Sequence, residues 1–330
     1  MIVDFTKLSP GGNDTIIVQS PVPAAKRATL ARTLMSNQYV GGEQVGYLTP
    51  APASGIDARL DMMGGELCVN GLRSAATVVA SQTAKTNLRL SSSGTDEIFK
   101  FVSVPQKGAY YTSITLNLNP QIKELEENTV LVHLDGISHL LCEFGQQTPI
   151  DPTKVFAELR RRYDSELAAL SAFGIIPFHV YRNGYRIYPV VCVRETNTVI
   201  PETGCGSGSV ALTLSMTNGN CSCSIFQPSG YLYQVDVTRN TKQTKVTLGS
   251  DVHILVQGMA HIGKFSFQPH PSPTSPSPAS GGPSSTSAPG QAGVPRRARR
   301  RRRRGRPATL SPRISGRRHR SGRGAGGHCR

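Results

Sequence analysis

Apolar and β-branched positions along the chain cluster in short runs separated by turn-forming residues. "DTIIVQ" (14–19), "EQVGYL" (43–48), "EIFKFVSV" (97–104), "YTSITLNL" (111–118), "GIIPFHVY" (174–181), "RIYPVVCV" (186–193) and "VHILVQG" (252–258) are the clearest. Runs of this length and composition predict strands. Helical patterns are fewer. One spans residues 24–36, and a second starts with Asp151 as cap and Pro152 in the first turn and continues amphipathically to about Ser171. Two further segments, 71–84 and 209–216, carry almost no charge on any face. A helix that is apolar all round belongs inside a core.

Each of these uncharged segments follows a cysteine in the same local setting. "CVNGLR" begins at Cys68 and "CGSG" at Cys205, 137 residues apart, with a small polar residue (Asn70, Ser207) and a glycine (Gly71, Gly208) at matching positions. Many strands plus one buried helix per half predict an α+β protein of two similar domains, each a curved sheet wrapped around a central helix that starts at the cysteine. The expected division is residues 1–125 for the half carrying Cys68 and 126–268 for the half carrying Cys205. The stretch near 120–152 serves as crossover, and the functional site lies between the halves.

Composition changes abruptly after this body. Residues 271–330 hold 15 arginines, no lysine and no acidic residue, so the formal charge of +16 belongs to the tail and the first 270 residues are nearly neutral. The Pro/Ser-rich stretch and the arginine run at 269–330 cannot bury enough apolar area to offset ordering entropy and are expected to be disordered. "RRARRRRRRGR" (296–306) suits electrostatic binding of phosphates. No aromatic residue interleaves it, so nucleic acid is an unfavoured partner. Residues 1–20 mix Asp4 and Asp14 among apolar groups and no run approaches 18 apolar residues, which predicts a cytoplasmic protein without membrane partner. Seven irregularly spaced cysteines do not read as a disulfide framework, and "CSC" (221–223) has no second cluster for zinc. No metal site or cofactor is expected. Cys142, Cys192, Cys221 and Cys223 read as packing residues, and His139 reads equally as a cleft or a structural histidine.

A cysteine at a helix mouth gains thiolate character from the free N–H groups and the helix dipole, which makes it a usable base at neutral pH. Gly71, Gly206 and Gly208 allow backbone N–H groups to turn toward a small anion such as a carboxylate. Two such helix mouths meeting in one cleft would grip a carboxylate between two sulfurs, a geometry suited to proton exchange at the adjacent carbon. A single buried cysteine is more often a small hydrophobe. The duplication is what points to function.

These motifs resemble the diaminopimelate epimerase-like superfamily. "PGGNDT" (10–15), "CVNGLR" (68–73), "ETGCGSG" (202–208), "GGEQVGYL" (41–48) and "FQPSG" (226–230) follow the family's order along nearly the whole body, with Val69 standing where the family has glycine. The resemblance implies that fold, two pseudo-symmetric domains and a two-base chemistry without pyridoxal phosphate or metal, in a homodimer. Carried onto this chain, it implies that Cys68 and Cys205 are the acid/base pair. Asn13 and Asn70 would then bond the substrate's carboxylate or amino group, Gly71, Gly206, Ser207 and Gly208 would supply donors, and Glu43 and Glu202 would face its ammonium or side chain. The stretch "TNTVIPET" (196–203) lacks the arginine with which the epimerase holds the far carboxylate of diaminopimelate. That departure, with "DFTKLSPGGNDTIIV" and "EQVGYL", is similar to the histidine racemases that feed opine-type metallophore synthesis. The expected activity is racemisation of L-histidine to D-histidine, with diaminopimelate epimerisation as the alternative and a non-catalytic, tail-dependent nucleic-acid binder as the reading of another class.

Overall fold

The computed structural model describes residues 1–51, 55–145, 149–240 and 243–263. The tail expected to be disordered lies outside the described residues.

Strands dominate, as the short apolar runs require. In chain order the first group is β1 (Ile2–Pro10), β2 (Thr15–Val18), β3 (Gln44–Pro50), β4 (Ala58–Met62), β5 (Asn87–Ser92), β6 (Ile98–Gln106) and β7 (Ala109–Leu118). Two helices interrupt it, α1 (Ala24–Met35) and α2 (Val69–Thr83). Each strand pairs with the next, and the long β17 (Thr244–His261) pairs with both β7 and β1, so eight strands form a closed circuit. α2 packs against all eight. This enclosure is why "VNGLRSAATVVA" carries no polar stripe, every residue from Val69 to Ala80 being buried. Of its two buried hydroxyls, Thr77 Oγ1 donates to the Arg73 carbonyl at 3.0 Å, whereas Ser74 Oγ has no partner among the described residues.

The second group begins two residues after β7. It comprises β8 (Gln121–Glu126), β9 (Thr129–Leu134), β10 (Ile137–Glu143), β11 (Ala172–Tyr181), β12 (Gly184–Ile187), β13 (Val190–Val193), β14 (Thr198–Pro201), β15 (Cys221–Phe226) and β16 (Leu232–Arg239). α3 (Pro152–Arg162) and α4 (Asp164–Leu167) precede β11, and α5 (Gly206–Met216) follows β14. β10–β11, β12–β15, β2–β3 and β4–β5 are parallel and the other pairings antiparallel. The fold is thus a sheet-rich α+β fold with a closed barrel. The first six residues of β17 pair with β7 on one side and β16 on the other, which joins both groups into one sheet. α5 packs against β9, β10, β16, β17 and α2, and residues 206–214 are all buried. Both central helices share one hydrophobic core.

Differences from the sequence reading have local causes. The stretch near 120–152, expected as a crossover, contains three strands, and β8 ("QIKELE") is almost wholly exposed, held by its ladder to β9 instead of by an apolar face. The helix capped by Asp151, whose carboxylate accepts from Lys154 N at 3.2 Å, stops at Arg162 and not near Ser171. Tyr163 leaves helical geometry there and a single turn, α4, follows. Among the described residues no helix is long and apolar enough to cross a membrane.

Candidate active site

Cys68 and Cys205 both occupy the N-cap position of a buried helix, in nearly superimposable backbone geometry: φ −125°, ψ 108° for Cys68 and φ −125°, ψ 106° for Cys205. The two helix starts abut. A Cβ on Gly206 would lie 2.8 Å from Val69 Cγ1 and 2.9 Å from Asn70 Oδ1, so only glycine permits this approach. Asn70 Nδ2 donates to the Gly204 carbonyl at 2.9 Å, while its Oδ1 accepts from Tyr233 Oη at 3.2 Å and Arg73 Nη1 at 3.4 Å. Gly208 is equally constrained, since its Cβ would fall 2.2 Å from Ile176 Cδ1 and 3.1 Å from Cys205 Sγ.

Both cysteines line one cleft. Of the residues expected at the site, Glu43, Asn70, Glu202, Gly206 and Ser207 line it with them. Gly71 lies behind Cys68 and donates its N–H to that sulfur at 3.2 Å. Gly208 sits behind Cys205 in the corresponding way. Asn13 is fully buried outside the lining. Its Nδ2 donates to Glu43 Oε2 at 2.8 Å and its Oδ1 accepts from Gln44 Nε2 at 2.6 Å and Thr15 Oγ1 at 2.9 Å. Glu43 also accepts from Thr203 N at 2.9 Å and from Thr203 Oγ1, which ties the loop before Cys205 to the start of β3.

Three residues outside the expected set complete the arrangement. Gln44 accepts the Cys68 thiol proton at 2.9 Å, and Gln227, fully buried, accepts from Cys205 N at 2.9 Å and donates to Ser209 Oγ at 3.0 Å. Both lie in stretches the motifs flag, "EQVGYL" and "FQPSG". Glu66, 5% exposed, lines the cleft two residues before Cys68. Nothing about a lone glutamate before a cysteine announces that placement. His139 is fully buried outside the cleft lining, its ring nitrogens unpartnered, and burial lowers its pKa to about 3.

The electrostatics differ from the sequence expectation. The helix mouths were expected to lower both thiol pKa values, and the Gly71 and Asn70 N–H groups do act that way on Cys68. Burial outweighs them, and the Glu202 carboxylate adds to it, so both thiols are pushed up and stand protonated. Glu202, in hydrogen-bonding reach of the Cys205 thiol, is itself raised by burial to about 8, and Glu43 and Glu66 are raised for the same reason. Three glutamates line the cleft and no arginine or lysine does. Arg73 is buried against Tyr233, donating to Thr112 O at 3.0 Å and Ser250 O at 2.8 Å, and Arg194 donates to Leu170 O at 2.7 Å. Neither reaches the cleft. Among the described residues no group of three or more His, Cys, Asp or Glu side chains is arranged to hold a metal.

With two matched helix-mouth thiols on one cleft established, the chain can be set beside known proteins. The family described as histidine racemase CntK N-terminal domain matches residues 2–261. The chain belongs to this histidine racemase family. It is 26% identical over 276 residues to the histidine racemase of Fusobacterium nucleatum subsp. nucleatum, covering 80% of this chain and 98% of that one. To the histidine racemase of Staphylococcus aureus it is 25% identical over 282 residues, covering 79% and 98%. Similar solved structures include a hydroxyproline epimerase from Agrobacterium vitis with bound trans-4-OH-L-proline (TM-score 0.57, 13% identity, 78% of this chain and 92% of that one). The Bacillus anthracis phenazine biosynthesis protein of the PhzF family is another (TM-score 0.55, 13% identity, 79% and 100%). The fold is that of the PhzF and proline racemase-like epimerases, and the chain is an isomerase of the racemase class.

Proposed function

We propose that this racemase interconverts L- and D-histidine by a two-base mechanism in which Cys68 and Cys205 face opposite sides of the substrate's α-carbon. The observation that carries the reading is the pair of matched N-cap cysteines at abutting helix starts, opening on a cleft walled by three glutamates and no cation. The N–H groups at the two helix starts would hold the α-carboxylate, and Glu43 would face the ammonium. One sulfur removes the α-proton as thiolate while the other, as thiol, delivers a proton to the opposite face. Both thiols stand protonated in this environment, so one must first give up its proton. Glu202, once ionised above its pKa of about 8, is placed to take that of Cys205, forming a thiolate and a neutral carboxylic acid. The two sulfurs supply both proton-transfer roles, so the scheme calls on no cofactor.

Histidine is favoured over diaminopimelate by charge. A second carboxylate in this cleft would face glutamates with no basic side chain to pair it, a loss of several kcal/mol, about 2–5. We assign the D-histidine to opine-type metallophore synthesis, on the resemblance in sequence. The matched N-cap geometry and the two glutamines, one serving each cysteine, support reading the body as two pseudo-symmetric halves. The test is α-deuterium incorporation in deuterated water over a panel of L-amino acids, followed by kcat/KM for L-histidine against LL-diaminopimelate in reducing buffer. A preference for the diacid would overturn the substrate; no exchange with any amino acid would overturn the reaction.

A further inference from the structure

We propose that Glu66 is the side-chain recognition residue, accepting the imidazole N–H of the substrate while the thiols work on its α-carbon. This rests on the histidine reading above and names the group that selects within it. Three carboxylates line the cleft, and two are already committed. Glu43 accepts from Asn13 and twice from Thr203, and Glu202 is engaged with the Cys205 thiol. Glu66 bonds only main-chain N–H groups, of Gly64 at 2.9 Å and of its own residue, and no side chain pairs with it.

Its surroundings suit a flat, largely apolar ring with one polar edge. Met63, Leu67, Ile137, Val191 and Val193 line the same cleft, so Glu66 is a nearly buried acceptor set into an apolar wall. A buried acceptor with spare capacity discriminates strongly, because a ligand that lacks the donor leaves it unpaired. The position is also within reach of the reacting centre, since the charge of Glu66 is felt at both Cys68 and Glu202. Thr198 is the one hydroxyl on the wall formed by β13 and β14, and it bonds Thr196 at 2.8 Å.

The experiment compares L-histidine with L-thiazolylalanine, a ring of similar shape without an N–H, by α-deuterium incorporation. The wild-type protein is expected to favour histidine by about 10²–10³-fold in kcat/KM. Glu66→Gln keeps an acceptor oxygen and is expected to retain the preference within about tenfold, whereas Glu66→Leu is expected to bring the two substrates to near parity. Equal turnover of both compounds by the wild type would overturn the proposal. So would an unchanged preference in Glu66→Leu, or a Glu66→Gln variant that loses both substrates alike, which marks a role in holding the Gly64 turn. A wild type that exchanges other amino acids but not histidine would instead sink the substrate reading on which the proposal stands.

Discussion

At the scale of single residues the two sulfurs are held differently although their backbones match. Cys68 donates its thiol to Gln44 and receives the Gly71 N–H, whereas Cys205 lies between Glu202 and Ser207 Oγ, the latter 3.8 Å away. An alcohol is far too weak an acid for either role, so Cys68→Ser and Cys205→Ser are each expected to lower racemisation by at least about 10²–10⁴-fold, measured by loss of optical rotation. Each variant retains one thiol, so single-turnover exchange should be confined to one enantiomer, and to opposite enantiomers in the two. Full racemisation by either would exclude a two-thiol mechanism. Glu202 offers a second test. With a native pKa of about 8 against an ordinary 4.5, it binds more protons folded than unfolded between those values. Stability should therefore fall as pH rises from about 4.5 to about 8, with Glu43 and Glu66 shifted in the same sense. Glu202→Gln removes the largest part of that slope, on the order of a few kcal/mol. Its Tm should exceed the wild type's at pH 8 by more than at pH 5, and parallel curves would contradict the buried carboxyl.

At the scale of elements the site depends on how closely α2 and α5 begin. Their first residues touch at Gly206, Val69 and Asn70, and Asn70 crosses to the Gly204 carbonyl. Val69, where the family motif has glycine, is the residue that Gly206 must accommodate. Gly206→Ala places a methyl where Val69 and Asn70 already are, so the two helix starts must separate. Displacement of this kind is expected to cost 1–3 kcal/mol of stability, and about 10²-fold in kcat through misplacement of the sulfurs. Thermal melts and turnover on one preparation check it. Normal activity would mean that the helix starts have room to spare. Glu43 acts at the same scale, strapping the loop before α5 to the start of β3 through Thr203, as Asn13 holds Glu43 and Gln44 in place.

At the scale of the molecule the described body is one compact unit, and the family match ends at residue 261 within it. Removing residues 269–330, and with them 15 arginines, is expected to leave kcat/KM within about twofold. A nucleic-acid binder acting through the tail would lose its affinity on the same truncation, measured by salt-dependent binding to duplex DNA.

How much was legible in the sequence follows from the range of each interaction. Most strands of the circuit, the caps at Cys68, Cys205 and Asp151, and the uncharged helices are local properties of spacing and composition, whereas β4 ("ARLDM") and β5 ("NLRLSS") carry too short an apolar pattern to be read as strands. The repeated Cys-x-Asn/Ser-Gly pattern also marks where the two helix starts that meet at the cleft lie. What the sequence could not assign depended on long-range neighbours. Glu66 enters the cleft because β13 and β10 arrive beside it from over 70 residues away, and Asn13 is turned inward because Glu43 and Gln44 claim both ends of its amide. The protonation of the thiols was likewise decided only in three dimensions. A helix mouth favours the thiolate through bonds local to the motif, but burial under two halves of the sheet and the approach of Glu202 favour the thiol, and in this cleft the long-range effects are larger.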